Sequence, residues 1–120
     1  MTTSPDPHEF AAEWIDAWNT HDLDRIIGHY ALDVVFTSPV AATIVPDSGG
    51  EIRGIDALRA YWAEGLRRLP DLHFELDQVL TTAGGCTLLY RNERGQQVAE
   101  TMLFGSDGRV CRGVGAYGSR

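Results

Sequence analysis

The apolar residues of this chain change their spacing once, at Pro70, and that change constrains the fold more than any other feature of the sequence. Before Pro70 they recur at helical intervals. Phe10, Trp14, Ala17 and Trp18 form one stripe, Leu23, Ile26, Ile27 and Tyr30 a second, and Ile55, Leu58, Tyr61, Trp62, Leu66 and Leu69 a third. Each stripe has its own start or stop signal. Asp6-Pro7-His8-Glu9 offers a cap, a proline at the first helical position and a capping-box carboxylate. Asn19-Thr20-His21 interrupts the first stripe, Asp22 caps the second, and Pro70, which lacks a backbone donor, ends the third. After Pro70 the period is that of strands. Segments 72–80, 86–91, 97–104 and 109–117 are separated by Gly84-Gly85, Glu93-Arg94-Gly95 and Ser106-Asp107-Gly108, which predicts an antiparallel meander.

One more strand is expected earlier. The β-branched and aromatic run 34–38 is stopped at Pro39 and leads into a Pro/Gly-punctuated segment, 40–50, read as a mobile loop. Helix, helix, strand, helix and then four strands predict an α+β domain in which a strongly curved antiparallel sheet wraps three helices and leaves one end open. With 120 residues there is room for one such domain, 1–120, and none for a second.

Composition narrows the classes of partner. Ten Lys plus Arg against seventeen Asp plus Glu give a formal charge of −7, so nucleic-acid backbones and anionic membranes are repelled, and neutral or cationic small molecules are easier partners. No stretch approaches the roughly 20 apolar residues of a membrane span, and the first residues lack a basic segment followed by an apolar run, which predicts a cytoplasmic location. Cys86 and Cys111 lack the paired spacing of a zinc site and read as buried free thiols, with a disulfide as the alternative. His8, His21, His29 and His73 are scattered over unrelated elements, so no metal is expected.

The order of elements, with WIDAWNTHDLD at 14–24, FTSPV at 36–40 and IRGIDALRAYW at 52–62, resembles the nuclear transport factor 2-like superfamily, and within it the SnoaL-like polyketide cyclases and ketosteroid isomerases. The resemblance implies a cone-shaped, cystatin-like roll that holds an apolar ligand between sheet and helices. It also implies work without a cofactor and, commonly, a homodimer. It does not imply one activity, because isomerases, cyclases, dehydratases, epoxide hydrolases and noncatalytic binding domains share the scaffold. Ketosteroid isomerase sets a base aspartate beside an oxyanion hole made by a tyrosine and a protonated aspartic acid. Trp14 stands here where that enzyme has its tyrosine, and Ser38 where it has its base. An indole donates only through N–H, and a serine without a neighbouring base accepts protons poorly, so steroid isomerisation by that route is not expected.

Glu100 falls where the isomerase has its protonated acid, with Met102 and Phe104 on the same strand face. Among such side chains a carboxyl is hard to ionise, which suits a hydrogen-bond donor or a general acid or base, and Glu100 is the catalytic candidate. The opposite register puts Glu100 on the solvated face and turns Ala99, Thr101 and Leu103 inward. Trp14, Trp18, Tyr30, Phe36, Trp62 and Phe74 are candidate ligand contacts. So are Ser38, Tyr90, Met102 and Tyr117, although aromatic stripes also serve as plain core. Arg53 is expected at the pocket mouth; Arg91 lies either near Glu100 across a hairpin or in a surface ion pair. Asp22 and Asp24 are read as capping residues at a helix start.

Two functions follow. One is a cofactor-free isomerase, cyclase or dehydratase acting through Glu100 on an apolar, carbonyl-bearing substrate. The other is a noncatalytic ligand-binding or dimerisation module. In either, Thr101 and Leu103 would turn outward and give the sheet a back that a second copy could cover.

Overall fold

Helix α1 (Pro7–Asn19) starts where the Asp6 side chain accepts the Glu9 backbone N–H at 3.0 Å, and α2 (Leu23–Ile27) where Asp22 accepts that of Arg25 at 3.2 Å. Both caps satisfy donors that a first helical turn leaves free. These elements come from a computed structural model that describes residues 4–119. The chain continues through β1 (Tyr30–Thr37), α3 (Pro39–Ile44), a single 3-10 turn at Pro46–Ser48, β2 (Glu51–Arg53) and α4 (Ile55–Arg68). It closes with β3 (Glu75–Thr82), β4 (Gly85–Arg91), β5 (Gln97–Phe104) and β6 (Val110–Tyr117).

The segment expected to be a mobile loop is instead built. Ser38 accepts the Val40 N–H at 3.2 Å and Pro39 takes the first helical position, so α3 is capped, and β2 then pairs antiparallel with β1. A helix of six residues and a strand of three are too short to show a period in sequence. Among the described residues the helices are therefore four rather than three.

The sheet is also mixed rather than wholly antiparallel. Its order is β2-β1-β6-β5-β4-β3, with β3 to β6 antiparallel as the meander predicts and β1 running parallel to β6. Strands joined by tight turns must alternate in direction. β1 reaches the sheet through a long crossover and is free of that rule. Register shifts in β1, in β3 next to Asp77 and in β6 next to Cys111 bend the strands, as bulges do, and the curved sheet stays open rather than closing into a barrel.

The strand expected from residue 72 begins at Glu75, because the preceding backbone is bound to α1. Asn19 accepts the Phe74 N–H at 2.7 Å and donates to the Phe74 carbonyl at 2.9 Å, while His21 Nε2 lies 2.9 Å from the Leu72 carbonyl. The polar break after the first helical stripe thus fixes Phe74 against Trp14 and Trp18. Asp24, the other acid of that turn, pairs with Arg59 of α4. The core lies between the helices and the concave face of the sheet, where Ile26, Val34, Leu58, Leu88 and Met102 are fully buried. Cys86 and Cys111 are free thiols, with Cys86 buried in that core. Among the described residues no helix is long and apolar enough to cross a membrane.

Candidate functional site

Strand alternation turns Val98, Glu100 and Met102 of β5 toward the helices and leaves Ala99, Thr101 and Leu103 on the other face. Glu100 is 5% exposed, with Leu88 beside it on β4 and Gly115 on β6. The glycine makes room for the carboxyl, since a Cβ at position 115 would lie 3.2 Å from Glu100 Oε1 and 3.5 Å from Ser38 Oγ.

The two carboxyl oxygens differ. Oε1 accepts from the Tyr90 hydroxyl at 3.2 Å, whereas Oε2 is buried and has no hydrogen-bond partner. Burial pushes the Glu100 carboxyl up to about 7, with the Tyr90 hydrogen bond acting the other way. Removing a carboxylate from water without a cation to receive it favours the neutral acid. Three of the four tyrosines, Tyr61, Tyr90 and Tyr117, line the space beside Glu100, and Tyr30 is buried behind them. Burial raises Tyr90 and Tyr30, holds Tyr61 at about 12 and raises Tyr117; negative charge on Glu100 adds to each shift. The phenols are therefore hydrogen-bond donors over the whole working pH range, not bases.

Glu100 is among the residues that line a partly open hollow of about 100 Å³ between α1, α3, α4 and the sheet. Trp14, Trp18, Phe36, Trp62, Tyr90 and Tyr117 also line it, and Asn92, Glu93 and Arg94 of the β4–β5 turn form part of its rim. The rings pack on one another. Trp18 meets Trp62 edge to face at 5.1 Å between centroids, and Trp14 stacks on Phe74 at 5.9 Å.

Four expected contacts lie elsewhere. Tyr30 is buried behind the wall, accepting from Trp14 Nε1 at 2.9 Å and donating to Met102 Sδ at 3.7 Å, so Tyr30 and Met102 support the lining without forming it. Ser38 caps α3 beneath a separate shallow groove, although it lies near enough to Tyr61 and Tyr117 to temper the upward shift of both. Arg53 does not reach the hollow; it is exposed and pairs with Glu51 at 2.6 Å, because alternation in β2 turns only Ile52 inward. Arg91 faces outward, 3.7 Å from Asp77.

Tyr61, Val40 and Ile44 also line the hollow and escape the sequence reading. Tyr61 sits on a helical stripe that reads as core. Val40 and Ile44 lie on α3, which is too short to show a helical period, so only the Ser38-Pro39 start signal pointed to it. Among the described residues no three His, Cys, Asp or Glu side chains gather as a metal ion would need.

The roll and its buried acid define a class before any relative is considered: a cystatin-like α+β domain with one carboxyl in an aromatic hollow. Residues 11–113 match the model of the SnoaL-like domain, and the chain belongs to that family. A SnoaL-like protein of unknown function from Burkholderia thailandensis is 40% identical, with 94% of each chain covered and a TM-score of 0.90. More distant structures share the fold. A candidate polyketide cyclase from Sinorhizobium meliloti is 14% identical, with a TM-score of 0.74 over 90% of this chain and 94% of that one. A candidate hydroxylase from Streptomyces galilaeus is 22% identical, with a TM-score of 0.71 over 95% and 90%. No protein with a curated description matches the sequence.

Proposed function

We propose that this SnoaL-like domain is an acid–base enzyme that works without a cofactor, of isomerase, cyclase or dehydratase type, with Glu100 moving the proton of an apolar, carbonyl-bearing substrate. One observation carries the reading: the Glu100 carboxyl is buried, held on one oxygen by Tyr90 and left without a partner on the other. Its upward shift to about 7 makes both protonation states available near neutrality, where a group that takes and returns a proton is most effective. As carboxylate, Glu100 removes a proton from the carbon next to the carbonyl and the electron pair moves onto the carbonyl oxygen. As acid, it returns that proton elsewhere on the same framework, so the isomerisation is balanced without a second reactant. The sequences of distant structural neighbours named as cyclase and hydroxylase diverge too far to choose among these reactions.

The test is turnover of a panel of simple enones and β-dicarbonyl compounds. For any compound turned over, Glu100→Gln is expected to lower kcat by roughly 10²- to 10⁴-fold with folding retained. Equal kcat in the two proteins would remove Glu100 from the chemistry.

A noncatalytic ligand-binding or dimerisation module is the second reading, and the size of the hollow favours its dimerisation form: about 100 Å³ lies well under the roughly 300–1,000 Å³ of ordinary ligand pockets. No binding and no turnover of any panel member by a dimeric protein supports it.

A homodimer belongs to either reading. Leu80, Thr87, Thr101 and Val114 form one uncharged row across the outer face, and Leu80 and Val114 are 46% and 38% exposed. Sedimentation equilibrium is expected to give about twice the chain mass of 13.2 kDa, and Val114→Glu to return the monomer. A monomeric parent rejects the dimer. The two free thiols suit the reducing cytoplasm.

A further inference from the structure

The Glu93 carboxylate is covered by the chain but scarcely paired by it. Glu93 stands in the β4–β5 turn at the rim of the hollow, and its side chain is only 16% exposed. The turn is braced from within. The Asn92 side chain accepts the backbone N–H of Arg94 at 3.1 Å and that of Gln96 at 3.0 Å, which holds Glu93 beside the opening. Its one ion pair among the described residues is with Arg94 Nε at 3.9 Å, too long for a hydrogen bond, and that side chain is 58% exposed. Arg91 turns to the opposite face, 3.7 Å from Asp77, and donates to the Gly95 carbonyl at 3.1 Å. Burial, then the charge of Glu100, then Tyr61 and last the charge of Glu93 keep the proton on Tyr117, so the Glu93 carboxylate lies close to a ring of the lining. A carboxylate taken from water without a cation is costly, and a cation carried by a ligand offsets that cost.

Size and charge define that ligand. An apolar cavity of roughly 150 Å³ accepts the six carbons of benzene, so the hollow of about 100 Å³ admits about four non-hydrogen atoms. Trp18, Trp62, Leu69 and Leu72 are among its walls, which suits carbon in those places. Because the hollow is partly open, a polar head can remain at the rim. The chain carries a formal charge of −7, which draws cations, and an anionic head would meet the Glu93 carboxylate. Arg94 competes for the same carboxylate, but an exposed ion pair of that length holds weakly.

We infer that the hollow takes a short apolar chain ending in an ammonium group, with the chain inside and the cation at the rim against the Glu93 carboxylate. Glu93 is then a specificity residue that selects the charge of the ligand. The inference rests on the hollow receiving a ligand and not on Glu100 moving a proton, so the two readings can fail separately.

The probes are n-butylamine, 1-butanol and pentanoate, which place a positive, a neutral and a negative head on one butyl chain. They are titrated at pH 6, where most of Glu100 holds its proton and the charge at the hollow rests with Glu93, and binding is followed through the indole N–H resonances of Trp14, Trp18 and Trp62. The parent is expected to bind n-butylamine roughly tenfold more tightly than 1-butanol, and pentanoate most weakly. Glu93→Gln, which keeps the shape of the side chain, is expected to bring amine and alcohol within about twofold of each other, and Arg94→Gln, which removes the competing cation, to tighten the amine further. Preference of the parent for the alcohol or the pentanoate, an amine preference that survives Glu93→Gln, weaker amine binding in Arg94→Gln, or indole resonances that no probe shifts overturns the inference. If Glu93→Gln does not fold, the ranking on the parent and the response of Arg94→Gln decide. An amine preference lost in Glu93→Gln, with no carbonyl compound turned over, sinks the enzyme reading and leaves this one standing. Glu100-dependent turnover of neutral ketones by a protein without an amine preference does the reverse.

Discussion

Glu100→Gln is expected to be more stable than the parent at pH 8, by on the order of 3 kcal/mol, and about equal to it at pH 4.5. Burial raises the folded-state carboxyl from an ordinary 4.5 to about 7, so between those values the folded chain holds a proton that the unfolded chain has released. Stability from this group is fully present below about 4.5, declines as pH rises and is gone above about 7. Glutamine keeps the shape and can still accept from Tyr90, but it has no charge to bury. His29 acts in the opposite sense, since burial lowers its folded value, and stability gained from it rises with pH toward its ordinary value of 6.5. Both proteins share that contribution, so the difference between their curves isolates Glu100. Urea unfolding from pH 4.5 to 8.5 provides the measurement. Parallel curves would mean that the carboxyl is solvated, and the proposed chemistry would go with it.

Trp14→Ala is expected to cost about 3–5 kcal/mol, a large share of the 5–15 kcal/mol typical of a small fold. Trp14 is 1% exposed and its ring meets Trp18, Phe74 and Tyr90 at centroid distances of 6.0, 5.9 and 5.6 Å. Truncation opens a cavity among rigid rings that cannot close it, and it takes from the Tyr30 hydroxyl the indole that donates to it. Trp14→Phe restores most of the packing but not the donor, and should cost about 1–2 kcal/mol. Denaturant midpoints measured with slopes held equal separate the two variants. A loss below about 1 kcal/mol for the alanine variant would show that the ring is a movable pocket wall and not part of the core.

Much of this architecture was legible because the forces that set it act over a few residues. The helical stripes before Pro70, the caps at Asp6 and Asp22, and the turns at Gly84, Gly95 and Gly108 are local, and the helices and meander follow them. The inward side of β5 could be narrowed only to two registers, because strand alternation fixes which residues share a face but not which face meets the core. Short elements hid for the same reason: α3 and β2 offer too few residues for a period to emerge.

The candidate site was legible residue by residue but not as a set. Residue type marked Glu100 and the tryptophans; it could not show that Arg53 turns outward, or that Tyr30 and Met102 stand behind the wall. The parallel pairing of β1 with β6 joins segments about 80 residues apart and depends on packing that no local pattern encodes. The different fates of the two Glu100 oxygens depend on where Tyr90 of β4 and Gly115 of β6 fall beside β5. Sequence alone determined the elements and the chemical groups available, because propensity and capping are short-range. The tertiary structure decided which groups meet, and whether water reaches them, because pairing and burial belong to the whole fold.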